Sequence, residues 1–481
     1  LLFRGQMPDM MNGRAIARGW SQSSGEGAAL LRSLLRLYPA IQGEPQKRLG
    51  ALLKHHLQNN RTQSSYGVAT DLVYVPIINQ ILADDTLLAR GELEGNFLFH
   101  NMDRVVHRKA NYLFGIAAHS NRTGNYEAGS RGENAKGWYT GDGMTYLYDA
   151  DLEQHYNHWP LMDMARLPGT TSDTRVLAGS GGRRSAYSGG RKTNMDWVGG
   201  ASNQKAGTFG MDFHNWDDSL RAKKSWFMFD DEILAIGSNI QGERLAQTVT
   251  GLDARKLNEQ GDNVIMVDGK VFTDGAVPQS TIHIEGNTSG SQLGIVLPYE
   301  QAVSLERSYQ TGDWAEPYTL NSSKMDNTQV QGWRLLSTIG HSVVNNHYAY
   351  VLLPQKSAAQ TAQYATEPEV TILHQNGQIH AVAESGSGMY AANVWVSEEV
   401  TTPELVVRGQ VSLLTRKQNG QLHIWIAQPT RDANSVEVKF PLFDGSQIIS
   451  DDEQRIQWQD GFFKVSTDNL AGASYHFVIA K

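Results

Sequence analysis

Apolar residues in the first 60 positions recur at spacings of three and four. Between Ser23 and Tyr38 they fall at Ala28, Leu30, Leu31, Leu34, Leu35 and Tyr38, one face of a helix, with Ser23 and Glu26 spaced as a capping box. After Pro39 the pattern restarts at Glu44–Pro45 and runs through Leu49, Leu52, Leu53 and Leu57, with proline where a first helical turn tolerates it. Two such helices with a short connection predict an αα-hairpin, and Pro76–Leu88 predicts a third helix. From about Asn96 onward the texture changes to short apolar and aromatic runs separated by Gly, Asp and Asn, which are strand and turn signals. Asp268-Gly269, Asn376-Gly377, Asn419-Gly420 and Asp444-Gly445 sit between apolar runs, where tight hairpin turns are expected. Gln355–Pro368 is polar and small and reads as a linker before a smaller C-terminal sandwich. The pattern therefore predicts a mainly β chain: a short helical piece followed by antiparallel sheet to the end. No repeat of fixed period is visible, which argues against a propeller or a β-helix.

Composition narrows the chemistry. The 481 residues contain no Cys, which excludes a disulfide scaffold, Cys-ligated metal and a Cys nucleophile. Lys+Arg number 42 against 50 Asp+Glu, net −8, which is not the basic footprint of a nucleic-acid binder. A polyanionic ligand would have to be met by positive charge concentrated locally against the global sign. No apolar run reaches the roughly 18 residues of a membrane span. The start, LLFRGQMPDMMNGRAIARG, has no charged-then-apolar leader and reads like a chain entered partway through a fold.

The densest stretch, Asn101–Thr171, packs His, Arg, Asn, Tyr, Glu and Trp into strands and loops. That mixture suits a carbohydrate, with rings stacking on Trp or Tyr faces while Asn, Arg and Glu bond hydroxyls and carboxylates. A well-connected surface loop set would look the same. Asp230, Asp231 and Glu232 stand in succession in FDDEI, and adjacent carboxylates repel unless a cation or basic partner offsets them. Two readings stand: a structural Ca²⁺ site built on oxygen ligands, or an acidic turn paired with Lys223 and Lys224. Gly179–Thr193, GSGGRRSAYSGGRKT, fails the phosphate-loop register because Arg191 precedes Lys192, leaving a basic loop over a polyanion groove or a plain surface loop. His55/His56 and His155/His158 have metal-like proximity but no third ligand in register.

Ordered motifs in this stretch and beyond it resemble polysaccharide lyase family 8, the hyaluronate, chondroitin AC and xanthan lyases. They are MDRVVHR (Met102–Arg108), NYE (Asn125–Glu127), GEN (Gly132–Asn134), KGWYTGDGMTYLY (Lys136–Tyr148), Trp159–Pro160, RLPGTT (Arg166–Thr171), KKSWFMFDDEI (Lys223–Ile233) and YAYVLLP (Tyr348–Pro354). The resemblance implies the end of an α/α toroid over residues 1–90, a large antiparallel β supersandwich over 91–360 and a smaller β-sandwich over 361–481. It implies β-elimination at a uronic acid, with a base removing the C5 proton, the 4-O-glycosidic bond breaking, and a 4,5-unsaturated uronate left behind. It implies no cofactor for the chemistry, and xanthan lyase-like members carry Ca²⁺ near the FDDEI motif.

The family places a catalytic His and Tyr on the helical domain ahead of paired arginines. Here no His or Tyr precedes Arg14, so the chain reads as the C-terminal portion of such a lyase. Arg14 and Arg18, four apart on one helical face, match the paired arginines; without the resemblance they would read as solvated or acid-paired. Glu127 matches the glutamate that supports the site from the β domain. YEAGSRGEN is one residue longer than the family's usual pattern and carries Arg131 where a substrate-binding Asn is expected, so Arg131 or Asn134 becomes the candidate contact and Trp138 the candidate stacking surface. The expected partner is an anionic polysaccharide, with no nucleic acid and no membrane, bound by a monomer that is secreted or periplasmic because a long polymer cannot enter a bacterial cytoplasm intact. The alternatives are a xanthan lyase-type specificity and a non-catalytic carbohydrate-binding module; a two-carboxylate glycoside hydrolase is poorer, since only Glu127 has a motif around it.

Overall fold

The computed structural model describes residues 2–12, 22–128, 134–184, 195–272, 277–315, 329–344 and 346–481. Helices α1 (Gln22–Leu37), α2 (Glu44–Gln58) and α3 (Tyr74–Ala83) pack around Leu31, Leu35, Leu53, Leu57, Tyr74, Ile78 and Ile81. Ser23 lies inside the first turn of α1, and its hydroxyl donates to Gln6 Oε1 at 3.1 Å, so it anchors a neighbouring segment and caps nothing. α3 stops short of the expected Leu88 because the Asp84 carboxylate accepts from Thr86 N (2.9 Å) and Thr86 Oγ1 (2.6 Å), a local turn that outcompetes the helix.

The β region begins with a four-stranded meander: Gly95–Phe99, Arg104–Arg108, Leu113–Ala117 and Met144–Tyr148. A second four-stranded sheet is formed by Val303–Asp313, Gln329–Gly340, Val249–Lys256 and Thr171–Ser172. Both pack on one face of a nine-stranded sheet in which Tyr348–Pro354, Ile233–Gly242, Leu220–Met228 and Gly207–His214 are successive neighbours.

Strand periodicity explains how this sheet serves two cores. Side chains alternate faces, so Leu220, Ala222, Trp226 and Met228 point into the supersandwich core with Phe209, Met211, Ile233 and Tyr350. Phe227, Leu234, Ile236 and Val351 point the other way, onto Val382, Ala391 and Leu414 of the C-terminal domain. That domain is a sandwich of a seven-stranded and a five-stranded sheet starting at Val370, with its own core around Leu413, Ile424, Val438 and Phe477.

The junction between the central sheet and the C-terminal sandwich is polar at its centre, where a hydrogen-bond network joins the two. His380 sits between Ser225 Oγ (2.8 Å) and Ser238 Oγ (2.7 Å), and burial pushes its imidazole down to about 3, so it stays neutral. Asn393 bonds Ser225, Thr208 and Ser412, and Trp197 Nε1 donates to Val394 O at 2.8 Å. Gly210 is required here, because a Cβ would lie 2.7 Å from Trp197 and 2.8 Å from Trp395.

Two expectations fail. The stretch Gln355–Pro368 is not an open linker, since Ala358–Thr366 forms helix α4 with a capping box between Ser357 and Gln360 and with Thr361 buried. Small polar residues look like a linker in composition, but Ser-x-x-Gln ahead of alanines is also a helix start. Asp268-Gly269 and Asn419-Gly420 are two-residue hairpin turns with both φ positive, whereas Asp444-Gly445 precedes a strand that pairs with Tyr475–Ala480 and closes no hairpin. Asn376-Gly377 belongs to a three-residue loop between Val370–Gln375 and Ile379–Glu384.

Candidate functional site

The family-like motifs converge where the loops after Ala117, Asp142 and Thr171 meet. Asn125 organises the first loop: its Oδ1 accepts from Tyr126 N (3.0 Å) and Arg184 N (2.8 Å), and its Nδ2 donates to Gly182 O (3.0 Å). Tyr126 OH donates to Gly181 O at 2.5 Å. Arg184, fully buried, donates to Asn215 O and to Asp218 Oδ1 (2.9 Å), tying this loop to the Asn215–Ser219 turn. Arg175 forks onto Asp217 (2.7 Å) and Asp173 (2.6 Å).

Beneath these loops lies Lys224. Alternation along Leu220–Met228 sends Lys223 toward the C-terminal domain and Lys224 into the supersandwich, among apolar neighbours. Its ammonium donates to Asp142 O (2.9 Å) and Gly169 O (2.6 Å), joining the KGWYTGDG and RLPGTT motifs at one point. Trp226 and Phe213 offer ring faces at 5.3 and 5.4 Å. Burial pushes the Lys224 ammonium down and the Asp142 carboxyl up, each partly offset by the other's charge.

Glu127 is exposed at the end of the Asn125 loop, and its carbonyl accepts from Asn134 Nδ2 at 2.7 Å. Asn134 is fully buried and Trp138 is 3% exposed, in a core with Tyr126, Tyr139 and Met144. This corrects two expectations. Asn134 is buried with its Nδ2 on the Glu127 backbone and so positions that loop, and Trp138 presents no ring face to a sugar. Arg183, an exposed cation at the start of the basic Gly179–Thr193 stretch, reaches Ala128 O at 3.3 Å, next to Glu127 in the chain. Arg14, Arg18 and Arg131 lie outside the described residues, as does most of the basic loop after Arg184.

The acidic run has a different arrangement from either sequence reading. Asp230 pairs with Lys109 and Asp231 with Lys356 (2.7 Å), whereas Lys223 pairs with Asp212 (2.5 Å) and Lys224 is the buried clamp. Glu232 turns inward, 4% exposed, and meets Glu369 and Glu384 of the C-terminal domain, with ligand oxygens of all three within 4.8 Å of one another. Burial, then the like charges of Glu369 and Glu384, push Glu232 up to about 8. These are hard oxygen donors crowded against their own repulsion, a set that fits Ca²⁺. The sequence could not supply Glu369 and Glu384, which are more than a hundred positions away and become neighbours only through domain packing.

Glu92 joins His55 and His56, with ligand atoms within 4.8 Å of one another, while His155 and His158 gain no such third ligand among the described residues. His55 Nε2 lies 2.8 Å from Glu92, but that carboxylate is also held by Arg108 (2.6 Å). His155 stacks on Tyr148 at 3.8 Å with Nε2 on Leu147 O, and His158 Nδ1 bonds His155 O.

Comparison with known proteins agrees with this architecture. The family model for "Polysaccharide lyase family 8, super-sandwich domain" matches residues 94–365, and that for "Polysaccharide lyase family 8, C-terminal beta-sandwich domain" matches residues 371–437. The xanthan lyase of Bacillus sp. (strain GL1) is 31% identical over 494 residues, which cover 99% of this chain and 51% of that protein. A hyaluronate lyase of Enterococcus faecalis is 28% identical over 499 residues, covering 100% of this chain and 48% of the relative. The solved structure of Paenibacillus xanthan lyase superposes with a TM-score of 0.90 at 31% identity, over 99% of this chain and 46% of that one. A Streptomyces coelicolor A3 chondroitin AC lyase, 24% identical, shares the fold with a TM-score of 0.85 over 100% of this chain and 63% of its own. The chain spans about half the length of the curated relatives it matches.

Proposed function

This chain belongs to polysaccharide lyase family 8, and from that premise we propose that it supplies the β-domain wall of a lyase that cleaves an anionic, uronate-containing polysaccharide by β-elimination. The observation that carries the reading is the loop constellation around Glu127, built from the family's motifs and held by Asn125, Asn134, Arg184 and Lys224. The difficulty of the reaction is an unacidic C5–H. Neutralising the substrate carboxylate stabilises the charge that develops when the proton leaves, and a tuned acid/base pair moves that proton. In this reading Arg14 and Arg18 meet the substrate near the reacting sugar, Glu127 supports them, and Arg183 and Arg131 add local positive charge to an acidic body. The His and Tyr that handle the proton come from helical sequence ahead of Arg14. Hyaluronan or chondroitin is the proposed substrate. Xanthan is the second reading, favoured by the 31% identity to a xanthan lyase. Secretion or periplasmic placement follows from the polymer's size, and no helix among the described residues is long and apolar enough to cross a membrane.

The test is to incubate the 481-residue chain, and a longer form from the same locus carrying the preceding helical residues, with hyaluronan, chondroitin sulfate and xanthan. Near-UV absorbance of the unsaturated uronate reports turnover. Absorbance growth with the longer form alone is the expected result; no growth with either favours a binding module, and growth with the 481 residues overturns the placement of the acid/base pair. In the active form, Glu127→Ala is expected to lower turnover at least about tenfold with thermal unfolding unchanged, as for a group that orients the arginines which stabilise charge in the transition state. Equal rates would remove Glu127 from the site.

We also propose that Glu232, Glu369 and Glu384 hold a structural Ca²⁺, with Asp230 and Asp231 at its rim. At a hundredfold excess over its dissociation constant the ion would add about 2.7 kcal/mol to the stability of the folded chain. Folded Glu232 keeps its proton up to about 8, whereas the unfolded chain releases it near the ordinary 4.5, so the calcium-free protein loses stability as pH climbs between those values. Calcium requires the ionised carboxylate, so its binding should strengthen as pH rises through about 8. Melting curves with Ca²⁺ and with a chelator check this; a Glu232→Gln variant that responds to Ca²⁺ as the wild type does would sink it.

A further inference from the structure

On the C-terminal sandwich, the strands Gln421–Ala427 and Tyr475–Ala480 pair antiparallel with Trp425 opposite His476 and His423 opposite Val478. Alternation puts His423, Trp425 and His476 on one face, the face that continues inward to Ala427 under the central sheet. Trp425 packs against the rim of that interface, while His476 is exposed. His423 Nδ1 and His476 Nε2 lie 3.2 Å apart, with ring planes 6° from parallel and centroids 5.4 Å apart. Two imidazoles with that nitrogen separation can hardly have centroids farther apart, so they lie edge to edge with these nitrogens facing. The indole of Trp425 stacks on His476 at 4.6 Å and 17°, which holds the ring upright on the sheet.

We propose that His423 and His476 form a two-histidine site for a borderline divalent cation of the Zn²⁺, Ni²⁺ or Cu²⁺ class. Two imidazole nitrogens on one tetrahedral ion at about 2.0–2.1 Å stand about 3.3 Å apart, close to the separation already present, so binding needs only a rotation of the rings. Imidazole is the ligand type these ions prefer, and no carboxylate cage for a hard ion surrounds the pair. Both rings sit on paired strands of a sheet, so little side-chain freedom remains to be lost on coordination. The charges facing the pair are Arg416, opposite His423 on the adjacent strand, and Asp452, fixed by Ser450 Oγ at 3.2 Å and acting on His476 electrostatically. Burial and the neighbouring His423 hold His476 below its ordinary value, so the neutral, coordinating form prevails at pH 7.

The test uses the full chain without an affinity tag, in excess Ca²⁺ so that oxygen-ligand sites are filled. Titration with Ni²⁺ is expected to show one site per chain. His423→Gln and His476→Gln should each weaken it at least tenfold, and the double variant should lose nothing further. Cu²⁺ should quench the fluorescence of Trp425 in the wild type, with the loss of quenching in Trp425→Phe confirming the location. In the wild type, Ni²⁺ should be released on acidification, because protons compete for the same nitrogens. Unchanged Ni²⁺ affinity in the double variant, or no saturable binding below about 1 mM, a contribution of about 4 kcal/mol, would overturn the assignment.

Discussion

Replacing Lys224 by methionine is expected to lower the unfolding free energy by about 3–5 kcal/mol, the usual cost of removing one partner from a buried charged network. Methionine preserves the length of the stem, so the loss isolates the ammonium. Without it Asp142 O and Gly169 O lose their donor inside the protein, and the buried Asp142 carboxyl loses its nearest positive charge. The two carbonyls belong to different motif loops, so the deficit cannot be shared locally, and water has no route to a residue with no exposed surface. Lys224→Arg would not rescue, because the larger guanidinium must fit where Gly143 already leaves only 2.9 Å between a would-be Cβ and the ammonium. Denaturant midpoints of the variant, followed by tryptophan fluorescence, provide the measurement. A change under about 1 kcal/mol would mean that the carbonyls find other partners and that Lys224 is not the clamp.

Leu220–Met228 announced itself as a strand by its apolar and aromatic run, and the motif order announced the supersandwich. Alternation even isolates Lys224 as the one cation on an otherwise apolar face, a signal available before any coordinates. Its two acceptors were not available, because backbone carbonyls leave no trace in composition. Glu232 illustrates the complementary case: three acids in a row drew attention to FDDEI, but Asp230 and Asp231 are satisfied by Lys109 and Lys356, and the residue that matters is joined by glutamates from another domain. Trp138 failed for a further reason. Aromatic rings serve cores and sugar platforms alike, and only burial separates the two uses.

The second large effect is expected at Glu92, where the N-terminal segment, helix α2 and the meander meet. Its carboxylate, with a side chain 2% exposed, accepts from Arg108 Nη2 (2.6 Å), His55 Nε2 (2.8 Å) and Arg4 N (2.8 Å). Arg108 also donates to Leu2 O at 2.8 Å, and His56 Nδ1 accepts from Gly5 N at 3.2 Å, so one network pins the segment that leads into Arg14. Glu92→Gln removes the charge while keeping the shape, leaving Arg108 buried without its anion, and should cost about 3–5 kcal/mol. The sign of the pH dependence follows from the same groups. Burial pushes Glu92 up, but the His55 and Arg4 hydrogen bonds and the charge of Arg108 outweigh it and hold the carboxyl below its ordinary 4.5. Its stabilisation is therefore complete above 4.5 and is lost as pH falls below that value. His56 acts in the same direction: burial drives it from 6.5 down to about 3, so the unfolded chain gains a proton that the folded chain refuses as the medium is acidified between those values. Acid should then loosen the helical segment first, because the loss at Glu92 adds there to a histidine effect that His380 shares at the sandwich junction. Hydrogen exchange at pH 4 and pH 7 measures this directly: protection in α2 should fall selectively in the wild type at pH 4 and already at pH 7 in Glu92→Gln. Equal protection of α2 in both proteins at both pH values would show that apolar packing around Leu53 and Ile78, and not this network, holds the helices to the β domain.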